Sequence, residues 1–243
     1  MNWKLLIFIV FIAIFSLTLF LIQPFTNIDF EKLSLAQIGP TLAYILTIIL
    51  FRDLFIPIKI KISKMIVVKI ILSIIIPIII YSLVYYIGSL LKIEIKLNNN
   101  IPYIIINYGI WIIIGAIGEE IGWRSFLQPS LDKKYPIIIS SVVIGIIWGL
   151  WHINHFVNGP IFVFSFLLFT ISYSIIVMFL LKKTDYSIFI SSMFHASLNI
   201  SFKIFLENNN DIIKLFFLNG IIWSVFAIII ILCNKKYYTI KAK

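Results

Sequence analysis

Residues 101–124 read IPYIIINYGIWIIIGAIGEEIGWR. Positions 101–118 carry no charge, and a helix of that length rises about 27 Å, close to the hydrocarbon thickness of a bilayer. Two carboxylates and a guanidinium then follow within six positions, Glu119 to Arg124. This is a membrane span that carries its own charges. Outward from it, comparable apolar runs lie near 4–22, 37–51, 66–91, 136–156, 161–181, 186–203 and 212–233, with 103–124 as the fourth of eight. In lipid each must be a helix, because every backbone N–H and C=O needs an internal partner. The expected fold is an all-α polytopic membrane protein, a bundle of about eight transmembrane helices in a single membrane domain, 1–243. Composition agrees: 61% of residues are hydrophobic and 12% charged, where soluble domains run nearer a quarter charged.

The first run, Trp3 to Ile22, is too long for a signal-peptide core and has no Ala-x-Ala site after it, so it reads as a retained span. Pro24, Pro57, Pro102, Pro136 and Pro160 punctuate span ends, whereas Pro40 and Pro77 fall inside spans and are expected to kink them. A net charge of +10 raises the question of nucleic acid, but the distribution of the charge answers it. With the N-terminus cytoplasmic, only Lys32, Lys92, Lys96, Lys203 and Lys214 of the 20 basic residues face outside. Positive charge concentrates on the cytoplasmic side of membrane proteins, so the expected orientation is N-in and C-in, with no nucleic-acid partner. The enrichment in Ile, Phe, Lys, Asn and Tyr is that of AT-rich coding, which points to a bacterial plasma membrane. The one cysteine, Cys233, can form neither an intrachain disulfide nor a cysteine metal site by itself.

A charge at mid-bilayer costs about 2.5–3.5 kcal/mol on insertion scales, so intramembrane polar residues need a partner or a task. They fall in three clusters. Glu120 and Arg124 are four apart on one helix face and can pair, which leaves Glu119, about 100° round the helix, facing something else. Trp148 and His152 are likewise four apart, with Asn154 and His155 beyond them near the span end, where an interfacial role is the simpler reading for His155. His195 and Asn199 lie four apart inside the seventh span. Each cluster alone is explained by interfacial charge or interhelical hydrogen bonding. Together they supply a carboxylate base and N–H donors for an oxyanion, the parts of a site in which water attacks a carbonyl. Peptide hydrolysis is the natural reaction class.

The three clusters resemble the motifs of the CAAX protease and bacteriocin-processing family, which includes the type II CAAX prenyl endopeptidases. The family pattern is Glu-Glu-x-x-x-Arg, then Phe-x-x-x-His, then His-x-x-x-Asn on successive membrane helices. Glu119-Glu120-x-x-x-Arg124 and His195-x-x-x-Asn199 match in full, while Trp148-x-x-x-His152 substitutes one aromatic for another, a change expected to leave the chemistry untouched. The resemblance covers 103–205 as a catalytic core, and the first hundred residues add only hydrophobicity to it. It implies an intramembrane endopeptidase acting on a membrane-associated or lipidated peptide. Glu119 and His152 would activate water, His195 and Asn199 would hold the oxyanion, and Glu120 and Arg124 would brace the site. On the cofactor two readings stay open: Zn²⁺ held by Glu119, His152 and His195 with a free fourth position, or a metal-free glutamate route. The alternative function is a transporter or immunity protein using the same residues as a proton or ion relay. Other protease chemistries lack their parts: there is no His-Glu-x-x-His, no Gly-x-Ser-x elbow and no mid-span aspartate. On these spans Glu119 lies toward one side of the bilayer and His152 toward the other. The two can meet only if the spans are shifted, tilted or broken; one way is for segment 125–135, including Pro129, to continue the fourth helix, and Glu119 is expected to sit deeper than hydropathy implies.

Overall fold

The computed structural model describes residues 3–59, 64–207, 209 and 211–240, and among them every regular element is a helix. In chain order these are α1 (Trp3–Ile22), α2 (Gly39–Leu50), α3 (Lys64–Leu90), α4 (Ile101–Glu120), α5 (Gln128–Asp132), α6 (Ile137–Trp151), α7 (Pro160–Leu181), α8 (Ile188–Phe205), α9 (Ile212–Cys233) and α10 (Lys235–Thr239). Each expected span holds one of the longer helices. Among the described residues, six helical runs have the length and composition to cross a membrane: Trp3–Phe25, Ile66–Leu90, Ile101–Asp132, Pro160–Leu181, Ile188–Phe205 and Ile212–Cys233. The protein is therefore an all-α polytopic membrane protein. The apolar runs Leu35–Leu50 and Ile137–Trp151 are shorter, roughly 22–24 Å against about 30 Å of hydrocarbon. Lys61, Lys241 and Lys243, which enter the charge asymmetry, lie outside the described residues.

Three local expectations are corrected. Pro40 does not kink a span, because α2 begins at Gly39 and the proline occupies its first turn, where a missing N–H costs nothing. The segment before it, Leu35–Ile38, is a 3₁₀ turn. The fifth span stops at Trp151 rather than reaching 156: His152 leaves helical geometry (φ −80°, ψ 50°), and Ile153–Asn158 forms a 3₁₀ turn. The fourth span does not end at Arg124. A π-helical turn, Ile121–Leu127, carries α4 into α5, giving one continuous run to Asp132, so segment 125–135 does extend the fourth helix, one of the ways anticipated for it. The charges at 119–124 do not terminate this helix because all three side chains are buried among protein groups and none reaches an interface.

Helix α7 is the inner helix. Of its membrane-length window 67% is buried, against 22% for α1, and it packs on α6, α8 and α9. The α6–α7 contact is a backbone approach: a Cβ on Gly145 would lie 2.5 Å from the Cα of Ile171. That approach sets Trp148, almost one turn further along α6, against Phe169 and Tyr173 of α7. The centre of the bundle thereby receives side chains from α4, α6, α7 and α8.

Candidate active site

Glu119 closes the last regular turn of α4 and is 1% exposed. Both of its oxygens are engaged. Oε1 accepts from the side-chain amide Nε2 of Gln37 at 2.8 Å, and Oε2 accepts from the indole Nε1 of Trp148 at 2.7 Å. Glu120, fully buried, faces a different set. Its Oε1 accepts from the hydroxyl of Tyr173 at 3.2 Å and from His195 Nδ1 at 3.0 Å, and its Oε2 lies 3.6 Å from Arg124 Nε. The expected Glu120–Arg124 pair is thus present, and it is part of a larger network. Arg124 donates through Nη2 to Ser174 Oγ at 3.1 Å, and its guanidinium lies about 5 Å from the rings of both Trp148 and Tyr173. A buried ion pair needs further hydrogen bonds to both ions; α7 and α8 supply three, while Glu120 Oε2 and Arg124 Nε and Nη1 make none among the described residues.

His152 caps α6. Its Nδ1–H donates to the carbonyl of Trp148 at 2.8 Å, which leaves the Nε2 lone pair of the neutral ring free as an acceptor. His195, on α8 and 3% exposed, engages Glu120 through Nδ1, which leaves Nε2 as its other ring nitrogen. Asn199, one turn along α8, is half-buried, and no hydrogen-bond partner for it is found among the described residues. His155, expected at the interface, stacks on His152 with ring centroids 5.8 Å apart and lies against Phe162 and Phe166.

These groups share Trp148 as a common neighbour. The indole binds Glu119 through its N–H, and its ring lies 5.4 Å from His152 and 5.6 Å from His195. The expectation that tryptophan here leaves the chemistry untouched is therefore corrected: a phenylalanine could fill the same space, but it could not donate to Glu119. Three further residues escaped the sequence reading. Tyr173 and Ser174 had a signal, since they sit in a run of hydroxyls, Thr170 to Ser174, inside an apolar span. Gln37 had none beyond being polar at the start of a short apolar run.

Comparison with known proteins identifies the arrangement. Residues 101–201 match the family profile of the type II CAAX prenyl endopeptidase Rce1-like proteins. That segment is similar to the Rce1-like proteins. This bears out the resemblance read from the three motifs, all of which fall inside the matched segment. CAAX prenyl protease 2 of Methanococcus maripaludis is 27% identical over 139 residues, 52% of this chain and 50% of that protein. Lysostaphin resistance protein A of Staphylococcus haemolyticus is 27% identical over 228 residues, 88% of this chain and 61% of that protein. The chain spans about half to three-fifths of the length of these relatives.

Within the matched segment, geometry bears on the donor set for a metal. Among the described residues no three His, Cys, Asp or Glu side chains come together as a metal-binding group. Glu119 has both oxygens accepting from N–H donors, and the trio Glu119, His152 and His195 is not gathered into a zinc site as placed.

Trp148→Phe isolates the indole N–H, because the ring contacts survive and Glu119 Oε2 loses its donor. A hydrogen bond to a charged group contributes about 1.5–3 kcal/mol, so the variant is expected to melt several degrees lower in detergent. An unchanged melting temperature would remove this bond from the description of the site.

Proposed function

We propose that this protein is an intramembrane endopeptidase of the bacterial plasma membrane, with both termini cytoplasmic. It hydrolyses a peptide bond in a membrane-associated or lipidated peptide, in CAAX-type proteolysis or in bacteriocin maturation or self-immunity. The observation that carries the reading is the convergence on Trp148: a buried glutamate and two histidines from α4, α6 and α8 border one indole.

The chemistry is a glutamate route. A water accepts orientation from the Nε2 lone pair of His152 and gives a proton to Glu119 as its oxygen forms a bond to the scissile carbonyl carbon. The resulting oxyanion is held by the side-chain amide of Asn199 and by His195 as an imidazolium, whose Nδ1–H stays on Glu120 while its Nε2–H donates to the developing charge. When the tetrahedral intermediate collapses, the C–N bond breaks and the proton on Glu119 passes to the leaving nitrogen. Glu120 and Arg124 do not touch the substrate. They fix the ring of His195 and the wall formed by Trp148. Low-dielectric surroundings strengthen each of these contacts.

The test uses the purified protein in proteoliposomes with a fluorogenic farnesylated C-terminal peptide and with the same peptide acylated instead. Cleavage of either is expected, and it is expected to survive dialysis against a chelator. Loss of cleavage restored by zinc alone would overturn the glutamate route. Ion flux through the same vesicles, without cleavage and abolished in Glu119→Gln, would replace the enzyme by a relay.

A further inference from the structure

The matched family segment begins at residue 101, yet one of the two donors to Glu119 comes from residue 37. The means of delivery is visible in α4. Gly115, Gly118 and Gly122 lie at three- and four-residue spacing and form a shallow seat for the chain from Gln37 to Pro40. A Cβ on Gly115 would fall 2.6 Å from the Oε1 of Gln37, one on Gly118 would fall 2.8 Å from the carbonyl oxygen of Gln37, and one on Gly122 would fall 2.5 Å from the Cβ of Pro40. Thr41 ties the same strip down by donating to the carbonyl of Gly118 at 2.6 Å. On the other side, Ser16 of α1 donates to the carbonyl of Ala36 at 3.0 Å, and Gly39 packs against the backbone of Ser16. The 3₁₀ turn Leu35–Ile38 is therefore held between α1 and α4, and the Gln37 amide is directed at one carboxylate oxygen.

We propose that Gln37 is a positioning residue for Glu119, seated by the glycine face of α4, so that the N-terminal part of the chain completes the site of the matched segment. This rests on the reading of Glu119 as the base. With Trp148 on one oxygen and Gln37 on the other, the carboxylate is held against rotation, with one lone pair left on each oxygen. A side chain that fixes a base without touching substrate acts on the chemical step and leaves substrate binding alone.

The experiment compares Gln37→Met, which keeps length and loses the donor, with Gly115→Ala, which keeps the amide and crowds it. Each is expected to lower kcat about tenfold with KM unchanged, the loss of roughly one hydrogen bond to a charged group. The double variant is expected to be no worse than either alone. A second measurement does not need turnover. Gln37→Met is expected to lower the melting temperature in the wild-type background and to leave it unchanged in a Glu119→Leu background. A rise in KM with kcat intact, additive losses in the double variant, or equal destabilisation in both backgrounds would overturn the proposal. Should the wild-type protein cleave neither peptide, the base assignment falls on that result, and the thermal comparison still decides whether Gln37 holds Glu119.

Discussion

Glu119→Gln is expected to abolish cleavage, by about a thousandfold or more, while the protein still folds. The rate loss follows from chemistry: an amide cannot take the proton from water, and general-base catalysis supplies about 10²–10⁴ of an enzyme's rate. The survival of the fold follows from geometry. Glu119 receives two N–H donors, from Gln37 and Trp148. The carbonyl oxygen of the substituted amide can keep one of them, and its NH₂ must confront the other donor, at a cost of about 1–3 kcal/mol. That lowers the melting temperature without emptying the core. The assay is single-turnover cleavage of the lipidated peptide, with the melting curve taken on the same preparation. A Glu119→Gln variant that folds and cleaves at the wild-type rate would dismiss this carboxylate as the base.

Arg124→Met is expected to have the largest effect on stability of any change at the site. It leaves Glu120 fully buried with Tyr173 and His195 as its remaining partners and deprives Ser174, Trp148 and Tyr173 of the guanidinium between them. Removing one partner of a buried ion pair costs about 3–5 kcal/mol, enough to deplete the folded protein in the membrane. Arg124→Lys is not expected to rescue it, because one ammonium cannot meet Glu120 and Ser174 together as the fork does. The diagnostic variant is Glu120→Leu with Arg124→Met. Removing both charges is expected to recover much of the stability and none of the activity, since His195 then loses the carboxylate that orients it. If Arg124→Met accumulates and melts like the wild type, the network is not holding the four helices together.

Most of the candidate site was legible in the chain because membranes make polar residues conspicuous. Glu119, Glu120, Arg124, His152, His195 and Asn199 stand out against apolar runs, and the i,i+4 spacing of Glu120 and Arg124 predicted the pair that forms. The spacing of His195 and Asn199 predicted a shared face and said nothing of Glu120, which lies 75 positions away from His195 and accepts a hydrogen bond from its Nδ1. The helix ends were harder. Hydropathy placed a boundary at Arg124 because charges usually mark an interface. The helix runs on to Asp132 because those side chains are buried and partnered inside the bundle.

The sequence by itself determined that this chain lives in the bilayer as helices, which residues are too polar to lie there without a task, and which family its motifs resemble. Those properties are local sums along the chain, read from hydropathy and from spacing on one helix. Only the tertiary structure decided that the indole of Trp148 and the amide of Gln37 meet on Glu119, and that Tyr173 and His195 share Glu120. Such contacts depend on how closely two backbones can approach. Glycines at 115, 118, 122 and 145 set that distance, and they leave no trace in a hydropathy profile.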